Sequence, residues 1–286
     1  MLHILISAII FAILASGFKF FVKLRGTLDF SYMAIVIFAS YAGTLLNIHR
    51  WMWLILSIII SFLLCIAFTF LVLFLSSKLD DVYFSIGTLA LYILFYQLAY
   101  NLEWITWWAL WLSWITRVLV DGVNFTSMNA FLIVAGAIAP LVFLFLFFLK
   151  RSYFYKVLTW WWENEIVVKS LGVKINKYKL AMILITTFLA VVWGNLFSFY
   201  YLYIDPSTFW LGMLILLIVI TFISYKFNDW WTLLVSIIVM MAYEYLRFFK
   251  VVDPSKIGYF REMVFGIIVV VTAFIVFRKT SFGREN

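Results

Sequence analysis

Long apolar stretches alternate with short polar passages along the whole chain. Most of these stretches are close to the ~20 apolar residues that an α-helix needs to cross the hydrocarbon core of a bilayer. We therefore predict an all-α, polytopic bundle of about nine transmembrane helices, with eight to ten as the range. The predicted spans are 2–22, 31–46, 51–75, 83–100, 129–149, 180–203, 208–226, 230–249 and 262–278.

The composition agrees with this pattern. Hydrophobic residues make up 67% of the chain and charged residues 12%, whereas soluble domains hold about half and about a quarter. The longest polar passages are 101–128, which we place along the outer membrane interface, and 150–179, and neither could form a soluble domain. We predict a single transmembrane domain over 1–286, whose first stretch is a retained span rather than a cleaved signal.

Basic residues are distributed unevenly between the polar segments. Most of the 21 Lys and Arg residues fall on the same side as the 150–179 segment. The positive-inside rule therefore predicts a multi-pass protein of the plasma membrane, with the N-terminus outside and the C-terminus in the cytoplasm. The net charge of +8 reflects this topology, and we expect membrane lipid as a partner and no nucleic acid.

The sequence offers no set of residues for catalysis. His3 and His49 are far apart, Cys65 is the single cysteine and lies in an apolar run, and no glycine-rich phosphate loop occurs. We expect no enzyme activity, no metal site and no cofactor. Any ATP-driven transport would need its ATPase from another chain.

The 150–179 segment contains the pattern of a short helix. Lys169 follows Glu165 by one helical turn, and Gly172 stands where a left-handed residue commonly ends a helix. We predict a helix from Glu163 to Leu171 that lies on the cytoplasmic membrane surface. Charge and spacing are equally compatible with a loop whose polarity only keeps it in water.

A polar group precedes the second predicted span, where Asp29, Ser31 and Tyr32 follow a basic turn. Polar side chains at membrane depth need a partner or a hydrated cavity. One interpretation is that they face a substrate, and the other is an ordinary interfacial turn. We expect Asp29 to pair with Arg25, four residues earlier, rather than with a cationic group of a substrate.

One set of residues follows residue 164 in a fixed order: Glu165, Ile166, Ser170, Leu171, Gly172, Tyr178 and Lys179. Others lie upstream and downstream of it and include Gly17, Gly26, Tyr41, Tyr83, Phe84, Thr88, Gly194, Pro206, Ser207, Gly266 and Arg278. In these residues the chain resembles the branched-chain amino acid ABC transporter permeases, whose cytoplasmic loop the first set matches. The likeness is in register and covers nearly the whole chain. The chain departs from the family at 223–231, where ISYKFNDWW replaces a glycine-rich stretch.

The resemblance implies a permease subunit of an ABC importer that moves a small amino acid of the branched-chain type, or a related amide. Its implied partners are a homologous permease subunit, two cytoplasmic ATPase subunits and an extracytoplasmic substrate-binding protein. The alternative is a permease-derived membrane scaffold or an ATP-independent transporter. The implied coupling residues are Glu163, Glu165, Lys169, Ser170, Leu171 and Gly172, and the substrate-pathway candidates are Asp29, Ser31, Tyr32 and Thr88.

Overall fold

The computed structural model describes residues 2–50, 53–101, 115, 118–120, 123–124, 127–246 and 257–281. Helices make up nearly all of this part. The α-helices are α1 (Leu2–Arg25), α2 (Ser31–Arg50), α3 (Leu54–Lys78), α4 (Asp81–Asn101), α5 (Met128–Arg151), α6 (Tyr153–Glu163), α7 (Glu165–Ser170), α8 (Ile175–Tyr201), α9 (Leu211–Ser224), α10 (Asp229–Tyr245) and α11 (Ile257–Ser281). A 3₁₀ helix spans Pro206–Phe209, and β1 (Val118–Val120) pairs antiparallel with β2 (Val123–Asn124).

The prediction of an all-α polytopic bundle is confirmed. Eight helical segments in the described part of the chain are long and apolar enough to cross a membrane. The ninth predicted span, 230–249, corresponds to α10, which has 17 residues and is shorter than these eight. The tryptophan-rich passage predicted at the outer interface has its five tryptophans outside the described residues.

Helices α1 and α8 form the centre of the bundle. α1 packs against α5, α8, α9 and α10, while α2 packs against α3, α4 and α8. α2 and α8 cross closely at Gly194, where an added methyl group would lie 2.8 Å from Ser40 Oγ and 3.3 Å from the Val36 carbonyl. Lipid supplies no hydrophobic drive for helix association, so transmembrane helices associate through close packing, and small residues permit that packing. Helices α3, α4 and α11 lie outside and carry many exposed apolar side chains.

Candidate functional site

The 150–179 segment folds as two short helices that meet at Asn164. The prediction of one helix from Glu163 to Leu171 is wrong in its start, because Asn164 is extended (φ −155°, ψ 97°) and ends α6. Its side-chain oxygen accepts a hydrogen bond from Val167 N at 3.2 Å and so caps α7. Asparagine competes for backbone groups in this way, which favours helix ends over helix interiors.

Aromatic contacts fix α6 against the bundle. Val157, Leu158 and Trp161 are buried on one face of the helix. The ring of Trp162 packs on Gly26, which has a positive φ of 69° and leaves no room for a side chain. The Lys179 ammonium lies 4.2 Å from the centre of the Trp161 ring. α6 therefore serves as a fixed support for α7.

α7 presents an apolar surface away from this support. Val168 is buried beneath the helix, whereas Ile166 and Leu171 are 81% and 70% exposed and Val167 is exposed beside them. Gly172 has φ 73°, as the helix-ending role predicted, and no atom lies within 4 Å of where its Cβ would be. Glu163 and Ser170 are also exposed, while the side chains of Glu165 and Lys169 lie outside the described part.

The turn between α1 and α2 brings the four substrate-pathway candidates to one buried place. The Asp29 carboxylate accepts hydrogen bonds from Ser31 N, at 3.0 Å, and from Ser31 Oγ. Burial raises the pKa of Asp29 to about 6, against the lowering effects of the Ser31 hydrogen bonds and the Arg25 charge. The Arg25 guanidinium itself lies over the Phe84 ring, 3.6 Å from its centre.

Thr88 and Tyr32 complete this turn. Thr88 Oγ1 accepts a hydrogen bond from Phe30 N at 3.2 Å and donates one to the Ser85 carbonyl at 3.0 Å. The Tyr32 hydroxyl donates to the Leu14 carbonyl at 3.1 Å. These side chains satisfy the local backbone and one another, which matches the interfacial-turn interpretation; their part in a substrate pathway stays a prediction.

Three charged side chains and one hydroxyl group meet near this turn, in a group that we name the Asp229 cluster: Asp229, Lys19, Lys150 and Thr232. Lys150 Nζ lies 2.7 Å and 2.6 Å from the two carboxylate oxygens of Asp229, and Lys19 Nζ lies 3.3 Å from one of them. Asp229 and Lys19 are buried, while Lys150 is partly exposed. The cluster joins α1 and α10 to the end of α5, where the chain enters α6.

Lys19 is held by more than the carboxylate. Its ammonium donates to Thr232 Oγ1 at 2.7 Å and approaches the carbonyls of Ser224 at 3.3 Å, Phe227 at 3.3 Å and Asn228 at 3.4 Å. The sequence marks Lys19 as a charge inside an apolar helix, but nothing local identifies a partner more than 200 residues later in the chain.

At the opposite end, a cavity of about 420 Å³ opens between α1, α8, α9, α10 and α11. Its walls combine tyrosine rings with the carboxylates of Glu244 and Glu262. None of the predicted substrate-pathway residues lines it. No local sequence pattern predicts this cavity, because its walls come from five helices and the 3₁₀ helix.

No group of three or more His, Cys, Asp or Glu side chains suited to a metal ion occurs among the described residues. Cys65 is a buried free thiol. The family model described as "Branched-chain amino acid transport system / permease component" matches residues 1–273. No curated protein matches the chain.

Proposed function

The chain belongs to the family of permease components of branched-chain amino acid transport systems, and from that premise we propose that it is the membrane-spanning subunit of an ABC importer. A permease component works within a transport system that has other subunits. We propose that these are a homologous permease, two cytoplasmic ATPases and an extracytoplasmic substrate-binding protein. The cargo is a small amino acid of the branched-chain type, or a related amide.

The exposed apolar surface of α7 is the observation that carries this proposal. The polar segment that contains α7 is too short to cross a membrane. It exposes three apolar side chains, Ile166, Val167 and Leu171, while the buried Val168 and the buried face of α6 hold the helix in place. Large exposed apolar side chains grouped in this way mark interaction surfaces. We propose that α7 inserts into a groove of the ATPase, so that closure of the ATPases moves the support formed by α6 and the Asp229 cluster as a rigid unit.

The orientation of the chain follows from the same proposal. The α6–α7 segment lies in the cytoplasm together with the C-terminus, and the N-terminus lies outside, as the distribution of basic residues predicts. Cysteines introduced at Lys174 and Pro206 test this orientation, because a membrane-impermeant thiol reagent added to intact cells should label the second and not the first. The reverse pattern would place α7 on the wrong side for an ATPase.

An Ile166→Asp variant tests the docking surface. Burying an isoleucine side chain at an interface stabilises it by about 1.5–3 kcal/mol, so the charged variant should retain the ATPase about ten- to a hundredfold less well. The measurement is the amount of ATPase that co-purifies with a tagged chain, followed by ATP-driven uptake in vesicles. Ile166→Leu is the matched control and should behave as the unmodified chain.

The outcome also decides between the importer and its alternatives. Loss of the ATPase with normal membrane insertion supports docking through α7. If no ATPase co-purifies with the unmodified chain, the chain acts as a scaffold or as an ATP-independent transporter. If Ile166→Asp retains its ATPase and transports at the normal rate, docking through the exposed surface of α7 is wrong.

A further inference from the structure

The cavity at the end of the bundle opposite α7 has the size and the position of a binding site. Its volume of about 420 Å³ lies within the range of roughly 300–1,000 Å³ that is usual for sites of small molecules. Its walls come from the first turns of α1, the last turns of α8 and α10, the beginning of α11, and the segment from the 3₁₀ helix into α9. In the proposed orientation, this cavity is on the extracytoplasmic side.

Two carboxylates, those of Glu244 and Glu262, line this cavity. Among the described residues, neither Glu244 nor Glu262 makes a hydrogen bond or an ion pair. Both lie close enough to Tyr243 for their charges to act on its hydroxyl, and Glu244 acts on Tyr201 as well. The neighbouring cation, Arg261, stacks on the Tyr243 ring at 4.3 Å from its centre. Two like charges that converge on one cavity favour a cation between them.

Some polar groups of the wall already have hydrogen-bond partners. The Tyr201 hydroxyl and Ser7 Oγ lie 3.1 Å apart, and the imidazole of His3 is hydrogen-bonded to the Tyr200 hydroxyl. An ionised carboxylate is an acceptor only, so the two glutamates require a ligand that donates hydrogen bonds. An ammonium group offers three donors and a positive charge.

The other lining side chains suit a cation with an apolar body. The rings of Tyr201, Tyr243 and Trp210 line the same cavity as the carboxylates, and aromatic faces attract ammonium groups. Met213 and Leu216 supply apolar wall. The absence of a side chain at Gly212 leaves space for the Glu262 carboxylate, since a methyl group there would lie 2.8 Å from Glu262 Oε1.

We propose that this cavity binds a primary ammonium group attached to a small apolar body, with Glu244 and Glu262 as its acceptors. The proposal deepens the proposed function and rests on it only in treating the bound compound as cargo. It names the part of the cargo that the permease itself recognises, namely the amine and the apolar group rather than a carboxylate.

Three compounds that share one apolar group test this recognition: isopentylamine, isopentanol and leucine. The full chain is purified with the subunits that accompany it, placed in lipid nanodiscs without ATP, and titrated calorimetrically with each compound. A charge-assisted hydrogen bond to a desolvated carboxylate is worth at least about a tenfold difference in affinity, so isopentylamine should bind at least about tenfold more tightly than isopentanol.

Glu262→Gln and Glu244→Gln are the informative variants, because each removes one charge and keeps the shape of the side chain. Each should lower the affinity for isopentylamine by about tenfold or more and leave that for isopentanol unchanged. Asp80→Asn, which alters an exposed carboxylate far from the cavity, is the control and should bind the amine as the unmodified chain does. Melting temperatures of all variants establish that they are folded.

The proposal is overturned if the amine and the alcohol bind equally, if neither binds, or if both glutamine variants retain full affinity for the amine. The titration with leucine distinguishes a failure of this proposal from a failure of the proposed function. Binding of isopentylamine without binding of leucine supports the ammonium site and contradicts an amino acid cargo. Binding of both supports the two proposals together.

Discussion

The carboxylates at the two ends of α10 have different surroundings. Asp229, the first residue of the helix, is buried and contacts two lysines, whereas Glu244, near its last residue, has no ion pair among the described residues. The two acids are about 22 Å apart along the helix axis, at about 1.5 Å per residue. The acid that is paired with lysines joins helices of the bundle, whereas we expect the acids beside the cavity to be available to a ligand.

Solvent explains how both arrangements are stable. A buried carboxylate without partners would cost several kcal/mol, so Asp229 can lie among α1, α5 and α10 only because Lys19 and Lys150 accompany it. Glu244 and Glu262 are only partly buried and border an open cavity, where water can solvate them until a ligand replaces it. We therefore expect the α7 end of the bundle to contribute more to stability, and the proposed ammonium site lies at the other end.

We expect the largest difference in the free energy of unfolding between a variant that neutralises Asp229 and one that neutralises an acid beside the cavity. Asp229→Asn leaves the Lys19 ammonium buried without its counter-charge and should lower the free energy of unfolding by about 3–5 kcal/mol. Glu262→Gln removes no ion pair and should change it by less than about 0.5 kcal/mol. Thermal unfolding of the purified chain in one detergent measures both.

A double variant provides the control for this contrast. Asp229→Leu combined with Lys19→Met removes both buried charges and should recover much of the stability lost in Asp229→Asn. If Asp229→Asn and Glu262→Gln unfold at the same temperature, the distinction between the two ends of α10 is wrong.

Asp29 is a buried acid whose hydrogen-bond partner, Ser31, is neutral, although the Arg25 charge also acts on it. Its pKa of about 6 in the folded chain exceeds its ordinary value of 3.8. A raised pKa means that the stabilising contribution is complete below about pH 4 and is lost as the pH rises through about 6. The loss amounts to about 3 kcal/mol, since each pKa unit corresponds to about 1.4 kcal/mol.

The measurement for Asp29 is the unfolding temperature between pH 4 and pH 7. Asp29→Asn keeps an acceptor for Ser31 and should remove most of the pH dependence in this range without loss of folding. A variant that assembles with its ATPase but no longer transports would instead assign Asp29 to the substrate pathway and contradict a purely structural role.

The smallest expected effect on stability is that of a substitution at Gly172, which follows α7. Gly172 has φ 73° and no atom near its missing Cβ, so a substitution there is opposed by the backbone conformation and not by crowding. Gly172→Val should cost about 1–2 kcal/mol locally and weaken retention of the ATPase by about tenfold.

Gly172→Asn is the matched variant, because asparagine tolerates the left-handed conformation better than a β-branched residue does. It should retain the ATPase nearly as well as glycine. Equal retention by the valine and asparagine variants in co-purification would show that the geometry at the end of α7 has no part in docking.

The elements were predictable from the sequence where local chemistry determines them. Apolar length identified the spans, and the position of Gly172 after Leu171 identified the end of α7. The break at Asn164 was not predicted, because Glu163, Asn164 and Glu165 together also suit the start of a helix. The hydrogen bond from Val167 N to the Asn164 side chain, which places the break, is seen only in the folded chain.

The candidate sites were less predictable because their partners are distant in the chain. Lys19 and Asp229 are separated by more than 200 residues, and without an observed contact each is simply a charge near a helix end. Asp29 was expected to pair with Arg25; the structure adds the hydrogen bonds from Ser31, which the local sequence contains but does not single out. The cavity, with walls from five helices, has no local pattern at all.

The surroundings of the Lys19 ammonium have a further consequence. Three carbonyls, a hydroxyl and a carboxylate surround it, and oxygen shells of this composition are also how proteins coordinate hard metal cations. Here the cation is covalently attached to the first helix and cannot exchange with the solution. The connection between α9 and α10 is therefore closed by an amine that belongs to the chain, so its geometry should be the same in sodium and in potassium.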